Sequence, residues 1–210
     1  MKRVRALLLV ALGGLAACSA PAPAPPAFDP LVELRAFDPR LHIDLAYADA
    51  DNFTGRAWYP DQRAWLRRSA AERLSRVQDR LARQGLGLVV WDAFRPLAVQ
   101  RAMWAILPDP NFVADPARGS RHNRGAAVDV GLVDYAGRAL AMPTAHDDFS
   151  ERAGRDYAEL PPLLIERRER LRAAMEAEGF TTISSEWWHY DAPGWEQLPL
   201  LDGVQEGRAR

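Results

Sequence analysis

Two short stretches of the chain hold side chains that together could bind a metal ion and activate water. The first runs Ser-Arg-His-Asn-Arg-Gly-Ala-Ala-Val-Asp from Ser120 to Asp129 and includes His122, and the second is Glu-Trp-Trp-His, from Glu186 to His189. Two imidazoles and one carboxylate make three protein ligands, the number that a catalytic zinc uses when its fourth tetrahedral position is left to water or substrate. Zinc lowers the pKa of a bound water from about 15.7 to roughly 7. Glu186 lies three residues before the candidate ligand His189, so it could take the proton of that water. The pattern predicts hydrolytic chemistry at a site with one Zn²⁺ per chain.

These side chains can converge only if the chain turns between them. His122 and Asp129 are seven residues apart, and Glu186 and His189 are three apart. Side chains at odd separations on a straight strand point to opposite faces. Gly125 supplies a turn within the first stretch, and a Ser-Ser pair could mark a bend before the second. Because the ligands come from different segments, a bound ion would also hold the sheet together.

The chain has four histidines, and a lone histidine is more often a hydrogen-bonded part of the fold than a metal ligand. Nothing in the surroundings of His42 and His146 raises them above that expectation. His122 and His189 are set apart by the motifs around them.

Hydrophobic periodicity predicts three helices and several short strands around these motifs. The helices are predicted over 61–84, from Pro96 to just before Pro108, and over 162–178. The strands are predicted over 31–36, 42–45, 86–91, 125–132 and 181–190, with a long functional loop over 142–157. We therefore expect an α+β fold in which a small, mainly antiparallel sheet is flanked by helices.

The amino terminus resembles a bacterial lipoprotein leader. Three basic residues precede an apolar run over 6–12, and Leu-Ala-Ala stands directly before Cys18, the only cysteine. We interpret residues 1–17 as a signal peptide and residues 18–27 as a lipidated cysteine with a Pro/Ala linker. Acyl chains on Cys18 would anchor the protein to a membrane. An ordinary secretory signal with an incidental cysteine is the alternative, and either interpretation predicts export to the periplasm or cell envelope.

Composition limits the remaining possibilities for residues 28–210. Their length suits one domain. Removal of the leader takes Lys+Arg from 27 to 24 against 28 Asp+Glu, which leaves a net charge of 24 − 28 = −4. A nucleic-acid-binding protein would show a basic patch and a high isoelectric point. We therefore expect no nucleic acid among the partners.

Several motifs together carry a resemblance to a known family. The pattern Ser-x-His-x-x-Gly-x-Ala-x-Asp is matched at every fixed position by residues 120–129, and Glu-x-x-His follows at 186–189. This combination resembles the zinc D-alanyl-D-alanine peptidases, and within them the chain is most similar to the D-Ala-D-Ala dipeptidases of the vancomycin-resistance type. The narrower resemblance lies in Asp44-Leu-Ala-Tyr47 with Asn52-Phe-Thr-Gly55, in Trp91-Asp-Ala-Phe-Arg-Pro96 and in the segment from Met142 to Glu151. It covers residues 30–192 and implies the Hedgehog/D-Ala-D-Ala peptidase-like fold, with the zinc site at the sheet.

The resemblance also implies roles for individual residues. His122, Asp129 and His189 correspond to the zinc ligands, Glu186 to the catalytic base, and Arg95 to the arginine that stabilises the tetrahedral intermediate. Attack on a peptide carbonyl builds negative charge on oxygen, and loss of one donor to that charge typically costs about 3 to 4 kcal/mol. On the residues alone, the arginine could instead be a surface or capping side chain, and the glutamate a hydrogen-bonding partner of a histidine.

A free dipeptide carries an ammonium at one end and a carboxylate at the other, and a dipeptidase must bind both. The resemblance implies that Asp147 binds the ammonium, and Ser120 could donate a hydrogen bond to a substrate oxygen. Pro143 and His146 stand where the family usually has a glycine and an aromatic residue. This departure leaves the shape of the pocket and the substrate preference open.

We predict a zinc metallopeptidase that hydrolyses the small D,D-dipeptide D-Ala-D-Ala to two D-alanines. One alternative is a D-alanyl-D-alanine carboxypeptidase on peptidoglycan stem peptides, which would need an open groove. Another is a non-catalytic, zinc-containing, cell-wall-binding lipoprotein, which would have no need of Glu186 and Arg95. Trp187 and Trp188 are expected to wall the pocket, although one of them could equally belong to the core.

Overall fold

The computed structural model of the chain describes residues 29–204. The predicted leader, Cys18 and the Pro/Ala linker lie outside the described residues. The strands are β1 Leu31–Glu33, β2 His42–Ile43, β3 Trp65–Arg67, β4 Leu86–Asp92, β5 Ala127–Asp134, β6 Thr181–Thr182 and β7 His189–Asp191. The helices are α1 Leu34–Phe37, α2 Arg68–Ala82, α3 Leu97–Ile106 and α4 Pro162–Glu176. Within residues 29–204, no helix is long and apolar enough to cross a membrane.

Five strands form the main sheet, in the order β2-β4-β5-β7-β6. Strand β2 runs parallel to β4, and every other neighbouring pair is antiparallel. Strands β1 and β3 form a separate antiparallel pair. The predicted α+β class with a mainly antiparallel sheet is confirmed.

Two helices cover one face of the main sheet. Helix α2 packs on β4, α4 packs on β5, and the two helices contact each other. Alternate residues of β5, Val128, Val130 and Leu132, are buried in the same hydrophobic cluster as these helices. Because successive strand residues face opposite sides, Asp129 projects from the other face of the sheet. The helices therefore pack on one face of β5, and Asp129 projects from the opposite face.

The predicted helix over 61–84 begins too early. In the structure α2 starts at Arg68, and Trp65, Leu66 and Arg67 instead form β3. Pairing with β1 buries Leu66 completely, which satisfies the backbone and the side chain together. Leu66 also fits the helical spacing of the apolar residues that follow, so periodicity alone could not separate the two states.

Two predicted strands are also corrected. The segment 31–36 turns into α1 after three residues, where the side chain of Glu33 accepts hydrogen bonds from the backbone N–H of Arg35 and Ala36. The segment 181–190 is a hairpin in which β6 pairs with β7, with Thr182 opposite Tyr190. Glu186 consequently lies in the hairpin loop and not on a strand.

Candidate metal centre and active site

Three side chains converge on one point on the face of the sheet opposite α2 and α4. His122 Nε2 lies 3.4 Å from Asp129 Oδ1 and 3.2 Å from His189 Nδ1, and the same Asp129 oxygen lies 3.0 Å from His189 Nδ1. All three residues are buried. Among the described residues they form a cluster that could hold a metal ion.

Strand register explains how residues so distant in sequence meet. Asp129 is the direct partner of His189 on β7 and of Asp92 on β4. Residues directly opposite on antiparallel strands project from the same face with Cβ atoms about 5 Å apart. His122 arrives from the short helical turn before β5, where Gly125 adopts φ +66°. The expected turn at Gly125 is present, and it redirects the chain between the first histidine and the strand.

Hydrogen bonds determine which ring nitrogen of each histidine faces the cluster. His122 donates from Nδ1 to the carbonyl oxygen of Ala93 at 2.7 Å, which leaves Nε2 free as an electron-pair donor. His189 donates from Nε2 to Asp191 Oδ1 at 2.9 Å, so Nδ1 is the ring nitrogen that faces the cluster. A metal-bound histidine ordinarily has such a second partner on its other nitrogen.

The donor set fits zinc. Tetrahedral zinc with bonds of about 2.0 to 2.1 Å places its ligand atoms about 3.3 Å apart, close to the three separations observed here. Burial raises the pKa of Asp129, but the charge of His122 and the hydrogen bonds from the surrounding histidines outweigh it and hold that pKa well below its usual range. The carboxylate is therefore ionised, as a metal ligand must be.

Glu186 lies at the edge of this cluster. Its Oε2 is 3.9 Å from His189 Nδ1. Burial, together with the negative charges of Asp129 and Asp147, raises its pKa to about 7, against the opposing effect of the histidines. A carboxylate with a pKa near neutrality can both accept and return a proton during a reaction.

Arg95 follows the end of β4 and is held rigidly. It donates from Nε and Nη2 to Asp92 Oδ2 at 3.0 and 2.6 Å, and from Nη1 to Gln100 Oε1 at 3.0 Å. Its guanidinium also lies 5.2 Å from the centre of the Tyr47 ring. Arg95 also lines the cavity, and its N–H groups that make none of these hydrogen bonds remain available to a ligand there.

Asp147 and Ser120, the two residues predicted to bind substrate, line the same cavity. Asp147 adopts φ +57° and accepts a hydrogen bond from the hydroxyl of the buried Tyr47 at 2.7 Å. Left-handed backbone at a residue other than glycine is uncommon and is often found at functional sites. Ser120 Oγ accepts a hydrogen bond from the backbone N–H of His122 at 3.2 Å, so its own proton remains available.

The cavity has a volume of about 180 Å³ and contains all seven predicted site residues of the described chain. One wall of the cavity is aromatic and is formed by residues of three loops. Phe149 contacts Phe53 with ring centres 5.2 Å apart and Phe112 with centres 4.9 Å apart. The cavity is below the range of about 300 to 1,000 Å³ typical of sites for drug-sized ligands, which favours a small substrate.

The chain resembles known proteins along most of its length. Residues 29–202 match the D-Ala-D-Ala dipeptidase family. The chain belongs to this family. The D-alanyl-D-alanine dipeptidase of Escherichia coli is 40% identical over 171 residues, which span 81% of this chain and 89% of that protein. The D-alanyl-D-alanine dipeptidase of Enterococcus faecium is 33% identical over 168 residues, 70% of this chain and 83% of that protein.

A solved structure also resembles the chain at a greater distance. The crystal structure of a vancomycin-resistance D,D-pentapeptidase in complex with Zn(II) is 18% identical, with a TM-score of 0.40, and covers 63% of this chain and 75% of its own. That likeness is too remote to place any residue of this dipeptidase-family chain.

The two tryptophans between Glu186 and His189 do not have the predicted place. Trp187 and Trp188 are each 1% exposed, and neither is among the described residues that line the cavity. Their rings meet edge to face at 5.4 Å. Both belong to the hydrophobic core, whereas Ile183, Ser185 and Glu186 of the same hairpin loop line the cavity.

Sequence reasoning missed residues that contact the cluster, among them Asp92, whose Oδ2 lies 3.6 Å from His122 Nδ1. Asp191 accepts the hydrogen bond from His189, and its position two residues further along β7 was a usable signal, since side chains two apart share a face. His146, expected to have a structural role only, lies with Nε2 3.2 Å from Asp129 Oδ2. No local sequence pattern predicts that contact, because the contact depends on how the loop 143–150 folds over β5.

Proposed function

We propose that this chain is a zinc metallopeptidase that hydrolyses D-Ala-D-Ala to two D-alanines. The observation that carries the proposal is the cavity of about 180 Å³ that brings together the three-donor cluster, Glu186 and Arg95. The relatives bear the name D-alanyl-D-alanine dipeptidase and cover most of the chain. Zinc held by His122, Asp129 and His189 would supply a Lewis acid and water of lowered pKa.

The chain's own side chains divide the remaining work. Glu186 accepts the proton of the attacking water and returns it to the amine that leaves. Arg95 donates to the oxygen on which negative charge develops, and it is already oriented before substrate arrives because Asp92 and Gln100 hold it. Asp147 pairs with the substrate ammonium, and Ser120 donates to a substrate oxygen. The aromatic wall excludes water from the closed side of the cavity.

The test is a hydrolysis panel combined with metal analysis. The purified protein should contain one zinc per chain and should hydrolyse D-Ala-D-Ala faster than L-Ala-L-Ala or a stem pentapeptide. Glu186→Ala should abolish turnover and leave zinc bound. Cleavage of the pentapeptide alone would favour the carboxypeptidase, and zinc binding without any turnover would favour the non-catalytic binding protein.

We further propose that the protein is exported and anchored through lipid on Cys18. The support is the Leu-Ala-Ala-Cys sequence after a basic and apolar leader, followed by a Pro/Ala spacer. An exported dipeptidase would act on dipeptides of the cell envelope, which would release D-alanine for recovery. Labelling with a radioactive fatty acid should mark the wild type but not Cys18→Ala. Label on neither protein, with secretion intact, would indicate an ordinary signal peptide, and a cytoplasmic domain would contradict export.

A further inference from the structure

The two oxygens of Asp129 have different surroundings. Oδ1 faces the donor nitrogens of His122 and His189, at 3.4 and 3.0 Å. Oδ2 faces away from them and lies 3.2 Å from His146 Nε2. The carboxylate is therefore held from behind by a histidine that belongs to neither of the two motifs.

The ring of His146 is fixed by aromatic contacts on several sides. It stacks on Trp91 with centres 5.4 Å apart and planes 27° apart, and it meets Trp188 edge to face at 5.5 Å. The ring of Tyr47 lies 6.2 Å away. The side chain is only 8% exposed. A ring confined in this way keeps its Nε2 directed at Asp129.

We propose that His146 is a positioning residue for the metal centre. It donates a hydrogen bond from Nε2 to Asp129 Oδ2, which fixes the rotation of the carboxylate and keeps Oδ1 directed at the metal position. The inference rests on the proposed zinc site and adds a residue that its motifs do not contain. Partners of this kind, behind a metal ligand, typically contribute 10- to 100-fold to metal affinity or activity.

The same N–H lies between two functional carboxylates. His146 Nε2 is 3.6 Å from Asp147 Oδ1, while Asp147 Oδ2 accepts the hydroxyl hydrogen bond of Tyr47. A ring that spaces Asp129 from Asp147 also sets the distance between the metal ligand and the proposed ammonium site. A simpler role, in which His146 only fills space between tryptophans, would be met equally well by phenylalanine.

The experiment therefore compares His146→Phe, which keeps an aromatic ring but has no donor, with His146→Gln, whose Nε2 can reach the same oxygen. Zinc affinity is measured by chelator competition, and the ligand geometry by the visible spectrum of the Co²⁺-substituted protein. His146→Phe should bind zinc roughly 10- to 100-fold more weakly with an altered Co²⁺ spectrum, and His146→Gln should recover most of both. His42→Phe, at an exposed histidine on β2, is the matched control and should match wild type.

The outcomes separate the inference from the proposed function. Wild type that binds no zinc would overturn the proposed function itself. Wild-type zinc affinity and an unchanged Co²⁺ spectrum in His146→Phe would overturn only the role of His146. Equal loss in His146→Phe and His146→Gln, with both variants folded by circular dichroism, would also contradict it, since the restored donor should rescue binding.

Discussion

Asp92 Oδ2 accepts two hydrogen bonds from Arg95, at 3.0 Å from Nε and 2.6 Å from Nη2, at a position where the aspartate is completely buried. The other oxygen accepts a hydrogen bond from the hydroxyl of Tyr59 at 2.6 Å. Asp92 also pairs with Asp129 across the sheet. One carboxylate thus orients the arginine relative to the proposed metal ligands, and the orientation exists before substrate binds.

Loss of the charge at Asp92 should destabilise the protein. Asp92→Asn leaves the buried guanidinium without its ionic partner, and breaking such a pair typically costs about 3 to 5 kcal/mol. Urea denaturation measures the free energy of unfolding. Asp79→Asn is the control, because Asp79 pairs with Arg40 where both side chains are 49% exposed. This substitution should lower the free energy of unfolding by about 1 kcal/mol or less. Equal losses in the two variants would contradict a special role for the buried pair.

Arg95→Lys should impair catalysis and spare the metal site. Lysine keeps the positive charge but cannot make the planar, forked contacts of a guanidinium. We expect kcat to fall roughly 100-fold or more, as is typical when a donor to developing negative charge is lost. Zinc content should be unchanged. A variant that loses zinc together with activity would show that Arg95 acts on the metal site instead.

Removal of the metal should lower thermal stability reversibly. At a zinc concentration of about 100 times Kd, binding contributes about 2.7 kcal/mol. For a domain of this size that corresponds to a change in Tm of roughly 5 to 10 °C. Differential scanning calorimetry measures this change in Tm. The Tm is compared before chelation, after chelation and after zinc is restored. Burial lowers the pKa of His189, but hydrogen bonds with Asp129 and Asp191 raise it to about 10, so protons compete with the metal and the effect should shrink at acid pH.

Acid should remove a stabilising contribution far from the active site. Hydrogen bonds from Arg40 lower the pKa of Asp38 despite its burial, and Ser75 lowers it further. A carboxyl whose pKa is lower in the folded protein stabilises it above the unfolded pKa of about 3.9, and that contribution is lost as pH falls through the folded pKa. Asp38→Asn should cost about 1 to 2 kcal/mol at pH 7. The difference from wild type should vanish toward pH 2 in urea denaturation, and a difference independent of pH would contradict the argument.

Gly131→Ala should disturb the site through packing alone. A Cβ at residue 131 would lie 2.3 Å from Cη2 of Trp91, so the indole that stacks on His146 would have to move. Overpacking of this kind typically costs about 1 to 3 kcal/mol, which thermal unfolding measures. Gly203→Ala, where a Cβ meets nothing within 4 Å, should leave stability unchanged. Similar Tm values for the two variants would show that Trp91 can relax freely.

The residue types of the candidate site and the motifs that contain them could be identified from the sequence. The Ser-x-His-x-x-Gly-x-Ala-x-Asp pattern and the Glu-x-x-His pattern name the candidate ligands, because each chemical role demands a particular side chain. Periodicity predicted α3 and α4 and the strands β4 and β5, since one buried face repeats along each element. The predicted start of α2 was wrong because residues 65–67 pair with the distant strand β1. The single strand predicted over 181–190 was wrong because the segment folds back on itself as the hairpin β6–β7.

Only the tertiary structure decided which side chains stand together. Asp92, Asp129 and His189 form one row across three strands, and that row is set by strand register, which no local pattern encodes. The same holds for His146, which reaches Asp129 because a loop folds over the sheet, and for Trp187 and Trp188, which the hairpin turns into the core. Local sequence specifies chemical groups and periodicity, whereas distances between segments follow from the packing of the whole chain.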